Sequence, residues 1–158
     1  MELPAGIEVV ETVHTAKVVI LREHDDHLLV LWRSLDDDWR PGESDLPGGG
    51  VEDGETDEEA ASRETFQETG LRVGTMALVP LVEASRVVER SHGLVAIHQR
   101  LFAAVVDRQE PVLSREHRES GWYPIDEAEE LFEGQPNKQN GVRELRRRIS
   151  EGDLPVAC

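Results

Sequence analysis

The sequence predicts an α/β protein in which helices pack on a mixed β-sheet. Strand-like runs dominate the first half and the middle of the chain, one well-marked helix lies between them, and a second long helix lies near the end. This order of elements favours helices on a mixed sheet over regularly alternating βαβ units. A chain of 158 residues can bury a sizeable core, and we expect one domain over residues 1–158.

The first predicted elements form a β-hairpin. Thr15–Arg22 and His27–Arg33 are β-branched and aliphatic runs, and the polar segment between them is typical of a turn. Ser34–Gly50 is polar, charged and rich in Gly and Pro. That composition predicts a loop with one short strand ending at Leu46.

Residues Thr56–Thr69 are predicted to form a helix with both ends marked in the sequence. Thr56 is a favourable N-cap, and Glu59 three residues later completes a capping box. Gly70 supplies the C-terminal stop. The helix is therefore specified locally.

The second half of the chain returns to strands before it ends in helices. Leu71–Val88 and Leu94–Val106 are strand-like, with a polar turn between them. Ser114–Gly121 predicts a charged loop, and Trp122–Ile125 predicts a short strand.

Two helices are predicted to end the chain, Asp126–Phe132 and Asn140–Ser150. In the second of them Val142, Leu145 and Ile149 fall on one face. We therefore expect this helix to pack on the rest of the domain.

The net charge of −16 limits the partners of this protein. Such a field repels nucleic-acid backbones and anionic lipid, so we expect neither nucleic acid nor membrane as a partner. It also repels phosphorylated small molecules, so an enzyme acting on phosphates would need divalent cations.

No window approaches the apolar length of a membrane span, and the single cysteine, Cys158, excludes an intramolecular disulfide framework. We expect a cytoplasmic protein, and a homodimer is left open.

Two acids of the predicted helix suggest a metal site. Glu64 and Glu68 lie one turn apart on one face, in the same row as the small apolar Ala60, and Gln67 lies beside them. Like charges at this spacing repel each other, and a bound cation would compensate. Mg²⁺ is a hard ion that binds carboxylates together with substrate phosphates. On these residues alone, an exposed acidic helix is the alternative.

The glycines ahead of the helix favour a metal site over an exposed acidic helix. Gly48–Gly50 follow a Leu-Pro pair and allow the backbone to bend and to approach a ligand closely. A larger spacing pattern runs over 23 residues, through Gly49, Glu55, Arg63, Glu64, Glu68, Gly70 and Leu71. With this spacing the chain resembles the Nudix hydrolase family, of the MutT-like kind.

The resemblance covers about residues 15–132 and has definite implications. It implies an α/β/α sandwich with a central mixed sheet, with the helix at about 140–150 added at the end. It also implies hydrolysis of a diphosphate bond in a nucleoside diphosphate linked to another group, with Mg²⁺ or Mn²⁺ held by the signature helix. Because the chain is short, we expect a nucleoside triphosphate to be the substrate. ADP-ribose, a nucleotide sugar and a dinucleoside polyphosphate remain alternatives.

The same resemblance assigns roles to acids. Glu68 corresponds to the principal metal ligand, and Glu64 to a second ligand or to the group that orients the attacking water. Gly48 would offer its backbone carbonyl to the metal. Family members often add a carboxylate from a later loop, for which Glu116 is the candidate and Glu119 the alternative. Either could be the general base.

Other residues are predicted to support the site. Arg63 would hold the loop and the acids in place through ion pairs, with Glu55 as a partner. Gly49 and Arg33 are candidate contacts for the substrate, with a plain strand-end charge as the alternative for Arg33. Three aromatic residues are candidates for stacking on a base, with packing as the alternative for each: Trp32, Trp39 and Phe102.

Two positions depart from the family pattern. Thr65 stands where a bulky aliphatic residue is usual, and Gln67 stands where a glutamate is usual. An amide oxygen can ligate Mg²⁺ but binds it more weakly, so one metal could be lost. The alternative function is therefore a catalytically weakened nucleotide-binding or regulatory module on the same fold.

Overall fold

A mixed β-sheet runs through the middle of the protein, in a computed structural model that describes residues 8–38 and 40–154. Within these ranges the strands are β1 (Val9–Arg22), β2 (His27–Arg33), β3 (Ser44–Asp45), β4 (Gly48–Gly50), β5 (Val79–Arg90), β6 (Gly93–Val106) and β7 (His117–Pro124). The helices are α1 (Asp57–Thr69), α2 (Ile125–Leu131) and α3 (Pro136–Ser150). A short 3-10 turn, Thr75–Ala77, precedes β5.

The strand order is β3-β2-β1-β6-β5, and the sheet combines parallel and antiparallel pairs. β1 and β6 pair in parallel along nearly their whole lengths, whereas β5 and β6, and β1 and β2, are antiparallel. β4 pairs with β1, and β7 pairs with β2, both antiparallel. The predicted α/β class with a central mixed sheet is confirmed.

Both faces of the sheet are buried, because alternate residues of its strands point to opposite sides. In β1, Val18 and Ile20 pack with Ala60 and Ala61 of α1. Val19 on the same strand belongs instead to the cluster formed with α2 and α3. Burial on both sides explains why the strands are continuous apolar runs. None of the helices within 8–38 and 40–154 is long and apolar enough to cross a membrane.

Helix α1 forms as its sequence predicts. The Thr56 side chain accepts from the Glu59 backbone amide at 3.0 Å, and the Glu59 carboxylate accepts from the Thr56 amide at 2.9 Å. Gly70 ends the helix in the left-handed conformation, with φ of 74°. These local contacts fix the helix that carries the candidate metal ligands.

Several boundaries from the sequence are wrong because pairing between distant segments decides them. Gly48–Gly50 was predicted as loop but forms β4, where its pairing with β1 satisfies the backbone. The predicted loop Ser114–Gly121 is strand from His117 onward, paired with β2 in spite of its polar side chains.

Three further element boundaries differ from those predicted. β1 begins six residues before Thr15, paired with β6. β5 begins only at Val79, after the 3-10 turn. Helix α3 begins at Pro136 rather than Asn140, with the proline in the first turn, where its missing N–H costs nothing.

Candidate active site

A cavity of about 680 Å³ opens between the glycine strand β4, helix α1, strand β5 and the start of α3. Of the site residues predicted from the sequence, it brings six together at its wall: Arg33, Gly48, Gly49, Glu64, Glu68 and Glu116. The other three predicted residues, Glu55, Arg63 and Gln67, lie outside the part of the wall formed by described residues. The cavity is large enough for a nucleotide-sized ligand.

Glu68 is the most deeply placed acid of helix α1, with 3% of its surface exposed. Its Oε1 accepts a hydrogen bond of 3.2 Å from the backbone amide of Gly48. Burial raises the pKa of Glu68 to about 9 against the opposing charge of Lys17, and the neighbouring Glu116 carboxyl adds to the rise. Without a cation this acid keeps its proton at neutral pH, and a bound cation would favour its carboxylate form.

Two residues near the start of β7 complete a group of possible ligands around Glu68. Carboxylate oxygens of Glu68 and Glu116 and a ring nitrogen of His117 all lie within 4.8 Å of one another. Glu116 is exposed, whereas His117 is buried. Glu119, the alternative loop acid, is exposed, pairs with Arg118 at 3.1 Å and lies outside the described wall of the cavity.

The glycines of β4 let the strand approach both β1 and helix α1. A Cβ on Gly48, where φ is 140°, would lie 2.2 Å from the carbonyl oxygen of Ala16. A Cβ on Gly49 would lie 2.7 Å from the carboxyl carbon of Glu64. A side chain at Gly48 would therefore displace strand β1, and one at Gly49 would displace the Glu64 carboxylate. The contact that Gly48 makes with the acids is through its amide, which donates to Glu68.

Arg63 joins the glycine strand to the acids, as its position in the sequence pattern suggested. It makes two hydrogen bonds to the Glu55 carboxylate, at 2.7 and 2.9 Å, and donates to the Gly50 carbonyl at 3.0 Å. Its Nη1 also donates to Glu64 Oε1 at 2.8 Å. The ion pair holds the pKa of Glu55 at about 2, so this bridge persists at neutral pH.

Glu64 and Gln67 share the same arginine. Gln67 is exposed, and its amide oxygen accepts from Arg63 Nη1 at 3.3 Å, beside the bond to Glu64. Glu64 keeps 19% of its side chain exposed and lines the cavity. Gln67 is thus adjacent to Glu64 but less enclosed than Glu68. Thr65, the other departure from the family pattern, is fully buried on the inner face of α1.

A second cluster on the cavity wall is centred on Asp45, which the sequence analysis missed. The Asp45 carboxylate is 2% exposed and contacts four cationic or imidazole groups. These are Lys17 Nζ at 2.9 Å, Arg33 Nη1 at 3.0 Å, His117 Nε2 at 2.9 Å and Lys138 Nζ at 3.4 Å. Five different elements of the fold meet at this one buried acid.

The positive charges around Asp45 offset the cost of burying its carboxylate. Burial alone would raise the pKa of Asp45, but Lys17, His117 and Lys138 hold it well below its usual range. Burial lowers the pKa of Lys138 to about 8, although the charge of Asp45 opposes this. Asp45 therefore keeps several cations beside the acidic end of the cavity.

Weak signals in the sequence could have pointed to this cluster. The chain has only two lysines, Lys17 and Lys138, and both lie on the cavity wall. Lys17 interrupts an apolar strand run, where an unpaired charge is costly. Asp45 directly precedes the Leu-Pro-Gly-Gly segment. None of these positions had a local pattern that identified its partners.

The predicted substrate contacts differ in their surroundings. Arg33 lines the cavity, but its guanidinium is held by Asp45 and, at 2.7 Å, by Asp37. Phe102 is fully buried in the core, and Trp32 packs against the core on the α2 and α3 side, so packing explains both. Trp39 lies outside the described residues.

The donors around Glu68 fit a hard divalent cation. Two carboxylates, one buried and one exposed, supply the oxygen ligands that such an ion prefers, and a histidine ring nitrogen lies beside them. His117 Nε2 is bonded to Asp45, while its Nδ1 is buried with no hydrogen-bond partner among the described residues. Acids on a rigid helix, a close glycine strand and adjacent cations are the parts that metal-dependent cleavage of phosphate compounds requires.

Comparison with protein families agrees with this description. The model of the NUDIX domain matches residues 12–145, most of the chain, so this protein belongs to the Nudix family. It is a Nudix hydrolase, an enzyme of the pyrophosphohydrolase class. Members of this class use divalent metals.

Solved structures share the fold at low sequence identity. A MutT protein from Methanosarcina mazei is 23% identical, with a TM-score of 0.67 over 88% of this chain and 96% of that one. The dihydroneopterin triphosphate pyrophosphohydrolase of E. coli is 22% identical, with a TM-score of 0.68 over 83% and 92%. An Ap4A hydrolase from C. elegans is 21% identical, with a TM-score of 0.66 over 88% and 98%. Both named substrates are nucleotide derivatives or close analogues.

Proposed function

We propose that this Nudix hydrolase uses Mg²⁺, with Mn²⁺ as a substitute, to cleave a diphosphate bond in a nucleoside diphosphate-linked compound. A nucleoside triphosphate is the first substrate to test. The observation that carries the proposal is the meeting of Glu68 and Glu116 on the wall of a nucleotide-sized cavity, with a ring nitrogen of the buried His117 within 4.8 Å of their carboxylate oxygens. A cytoplasmic location is part of the same proposal.

The proposed division of labour follows from burial and distance. Glu68, held by the Gly48 amide, and Glu64, held by Arg63, would be the metal ligands of helix α1. A bound divalent cation would neutralise phosphate oxygens and make an adjacent water easier to deprotonate. Glu116 is exposed beside Glu68, and is thus the acid best placed to accept the proton of the attacking water.

Cations of the chain would complete the charge balance around the diphosphate. Lys17 and Lys138 project ammonium groups onto the cavity wall, fixed by Asp45. Each ammonium has three donors. Lys17 also donates to the Leu46 carbonyl and Lys138 to the Gln135 side chain, so one donor on each remains for phosphate oxygens after Asp45 is bound. These residues would stabilise the charge that develops on the leaving phosphate.

A panel of nucleotide substrates tests the proposal directly. Purified protein is incubated with nucleoside triphosphates, ADP-ribose, nucleotide sugars and dinucleoside polyphosphates, with Mg²⁺ or Mn²⁺, and the released phosphate or diphosphate is measured. We expect turnover of at least one member, with full loss after chelation and recovery on adding metal. Turnover that survives exhaustive chelation contradicts the proposed metal dependence.

A weakened binding module is the second candidate, favoured by the absence of a carboxylate at Gln67. It predicts tight, metal-dependent binding of a nucleotide without turnover in the same panel. Retention of Glu64 and Glu68 favours catalysis, since a module that only binds has no need for both acids.

A further inference from the structure

The buried acid Asp45 contacts two different parts of the site with its two carboxylate oxygens. Oδ1 accepts a hydrogen bond from Lys17 Nζ at 2.9 Å and lies 3.4 Å from Lys138 Nζ. Oδ2 accepts from Arg33 Nη1 at 3.0 Å and lies 2.9 Å from His117 Nε2. One oxygen therefore holds the two lysines of the cavity wall, and the other holds the last residue of β2 and the first residue of β7.

The contacts of Oδ1 fix the two ammonium groups relative to each other. Lys17 belongs to strand β1 and Lys138 to helix α3, so only tertiary contacts bring them together. Both side chains are 12% exposed. Burial lowers the pKa of Lys138, and the charge of Asp45 opposes that effect. Asp45 therefore holds both groups in place and favours the charged form of Lys138.

The contacts of Oδ2 fix the backbone around Glu116. Glu116 directly precedes His117, and Ser34 directly follows Arg33. The Ser34 amide donates to the Glu116 carbonyl at 3.0 Å, so the two chain segments that Oδ2 holds are also bonded to each other. Because the Glu116 side chain is exposed, its position depends on the backbone that carries it. Asp45 thus acts on Glu116 through the neighbours of Glu116.

The burial of these charges has a cost that structure alone does not explain. The side chains of Asp45 and His117 are 3% and 1% exposed. Buried ion pairs add little net stability, because the loss of hydration offsets their attraction. Apolar side chains of similar volume join secondary-structure elements as well or better. A charged cluster at this point, on the wall of the cavity, therefore indicates a role in the reaction.

We propose that Asp45 is a positioning residue for hydrolysis, whose two oxygens hold the phosphate-binding lysines and the backbone of Glu116 in one arrangement. The inference rests on the proposed function, in which Lys17 and Lys138 bind phosphate and Glu116 accepts a proton. It adds that these residues depend on Asp45 and do not act independently of it.

The first test is a double-mutant cycle between Asp45 and Lys138, with inorganic diphosphate as the probe. Its dissociation constant is measured by calorimetry at saturating Mg²⁺ for wild type, Asp45→Asn, Lys138→Met and the double variant. Asparagine keeps the shape of aspartate but is uncharged and has one acceptor oxygen instead of two. Lys138→Met should weaken binding about tenfold in wild type, the effect of one charged hydrogen bond. In the Asp45→Asn background the same change should weaken binding about twofold or less.

The matched control is Asp25→Asn. Asp25 also pairs with a cation, Arg22, but lies beside the turn between β1 and β2, outside the described wall of the cavity. In this background Lys138→Met should keep its tenfold effect on diphosphate binding. Melting temperatures of all variants establish that they are folded.

A second cycle tests the other oxygen and leaves Asp45 unchanged. His117→Phe keeps a planar ring but removes the nitrogen that contacts Oδ2. With the best substrate of the panel, Glu116→Gln should lower kcat at least about tenfold in wild type. In His117→Phe it should lower kcat about twofold or less, because Glu116 is already displaced. Lys138→Met should keep its effect on diphosphate binding in His117→Phe, since the Oδ1 contacts are intact; a general loss of stability would not separate the two effects.

The outcomes separate this inference from the proposed function. Loss of the Lys138→Met effect in Asp45→Asn, together with loss of the Glu116→Gln effect in His117→Phe, supports the inference. An undiminished or larger effect in either cycle overturns it, and the His117→Phe cycle decides alone if Asp45→Asn does not fold. Failure of hydrolysis across the substrate panel would overturn the proposed function, whereas the diphosphate-binding cycle would still decide the inference.

Discussion

Glu68→Gln should stabilise the metal-free protein while it inactivates the enzyme. Glu68 is almost fully buried, and its pKa rises from 4.5 to about 9. At pH 7 the unfolded chain releases this proton, whereas the metal-free folded state retains it. Folding therefore carries a penalty that grows with pH from about 4.5 to about 9. Glutamine has nearly the same shape and no proton to lose, so it removes the penalty.

The size of the effect follows from the pKa shift. Each unit is about 1.4 kcal/mol, so the penalty in wild-type protein is about 3 kcal/mol at pH 7 and under about 1 kcal/mol at pH 5. Metal-free Glu68→Gln should thus gain roughly 3 kcal/mol in free energy of unfolding at pH 7. For a protein of this size that is roughly 6–12 °C in melting temperature.

The assay is urea unfolding of chelated wild-type and mutant protein at pH 5 and pH 7. The gain should appear mainly at pH 7, and saturating Mg²⁺ should reduce or reverse it, because metal binds the wild-type carboxylate. With substrate, kcat of the mutant should fall at least about a hundredfold. The control is Glu58→Gln, whose side chain is 40% exposed and should show neither effect. A mutant equal in stability to wild type at both pH values would refute the reasoning.

Three further predictions concern the cavity wall and the adjacent Gln67. Glu116→Gln should lower kcat more than it raises KM, because a proton acceptor acts mainly in the transition state. Glu119→Gln should leave both constants nearly unchanged. Steady-state kinetics showing the reverse would assign the role to Glu119. Lys138→Met should raise KM roughly tenfold at pH 7, the effect of one charged hydrogen bond. Because burial lowers the pKa of Lys138 to about 8, its charge is lost as pH rises past 8. Wild-type kcat/KM should decline there and the mutant should lack that component, so an identical pH profile in both would contradict the role. Gln67→Glu should increase the Mg²⁺-induced rise in melting temperature, because the new carboxylate would lie beside Glu64, and both would contact Arg63. Equal rises in melting temperature in the two proteins would show that residue 67 does not bind the metal.

Local features of the sequence determined the parts of this protein that depend on neighbours in the chain. The bounds of α1 follow from the Thr56 cap and Gly70, which act within one turn of the helix. The spacing from Gly49 to Leu71 was enough to identify the family and to select Glu64 and Glu68, because helical periodicity places them on one face.

Tertiary structure decided the features that depend on distant segments. β4 and most of β7 look like loops in sequence, since glycines and charges have low strand propensity. They become strands because β1 and β2 offer hydrogen-bonding partners. The Asp45 cluster is the extreme case, because its partners lie as far away as His117 and Lys138. No local pattern encodes a buried ion pair, which forms only where packing removes water from charges that the fold has already brought together.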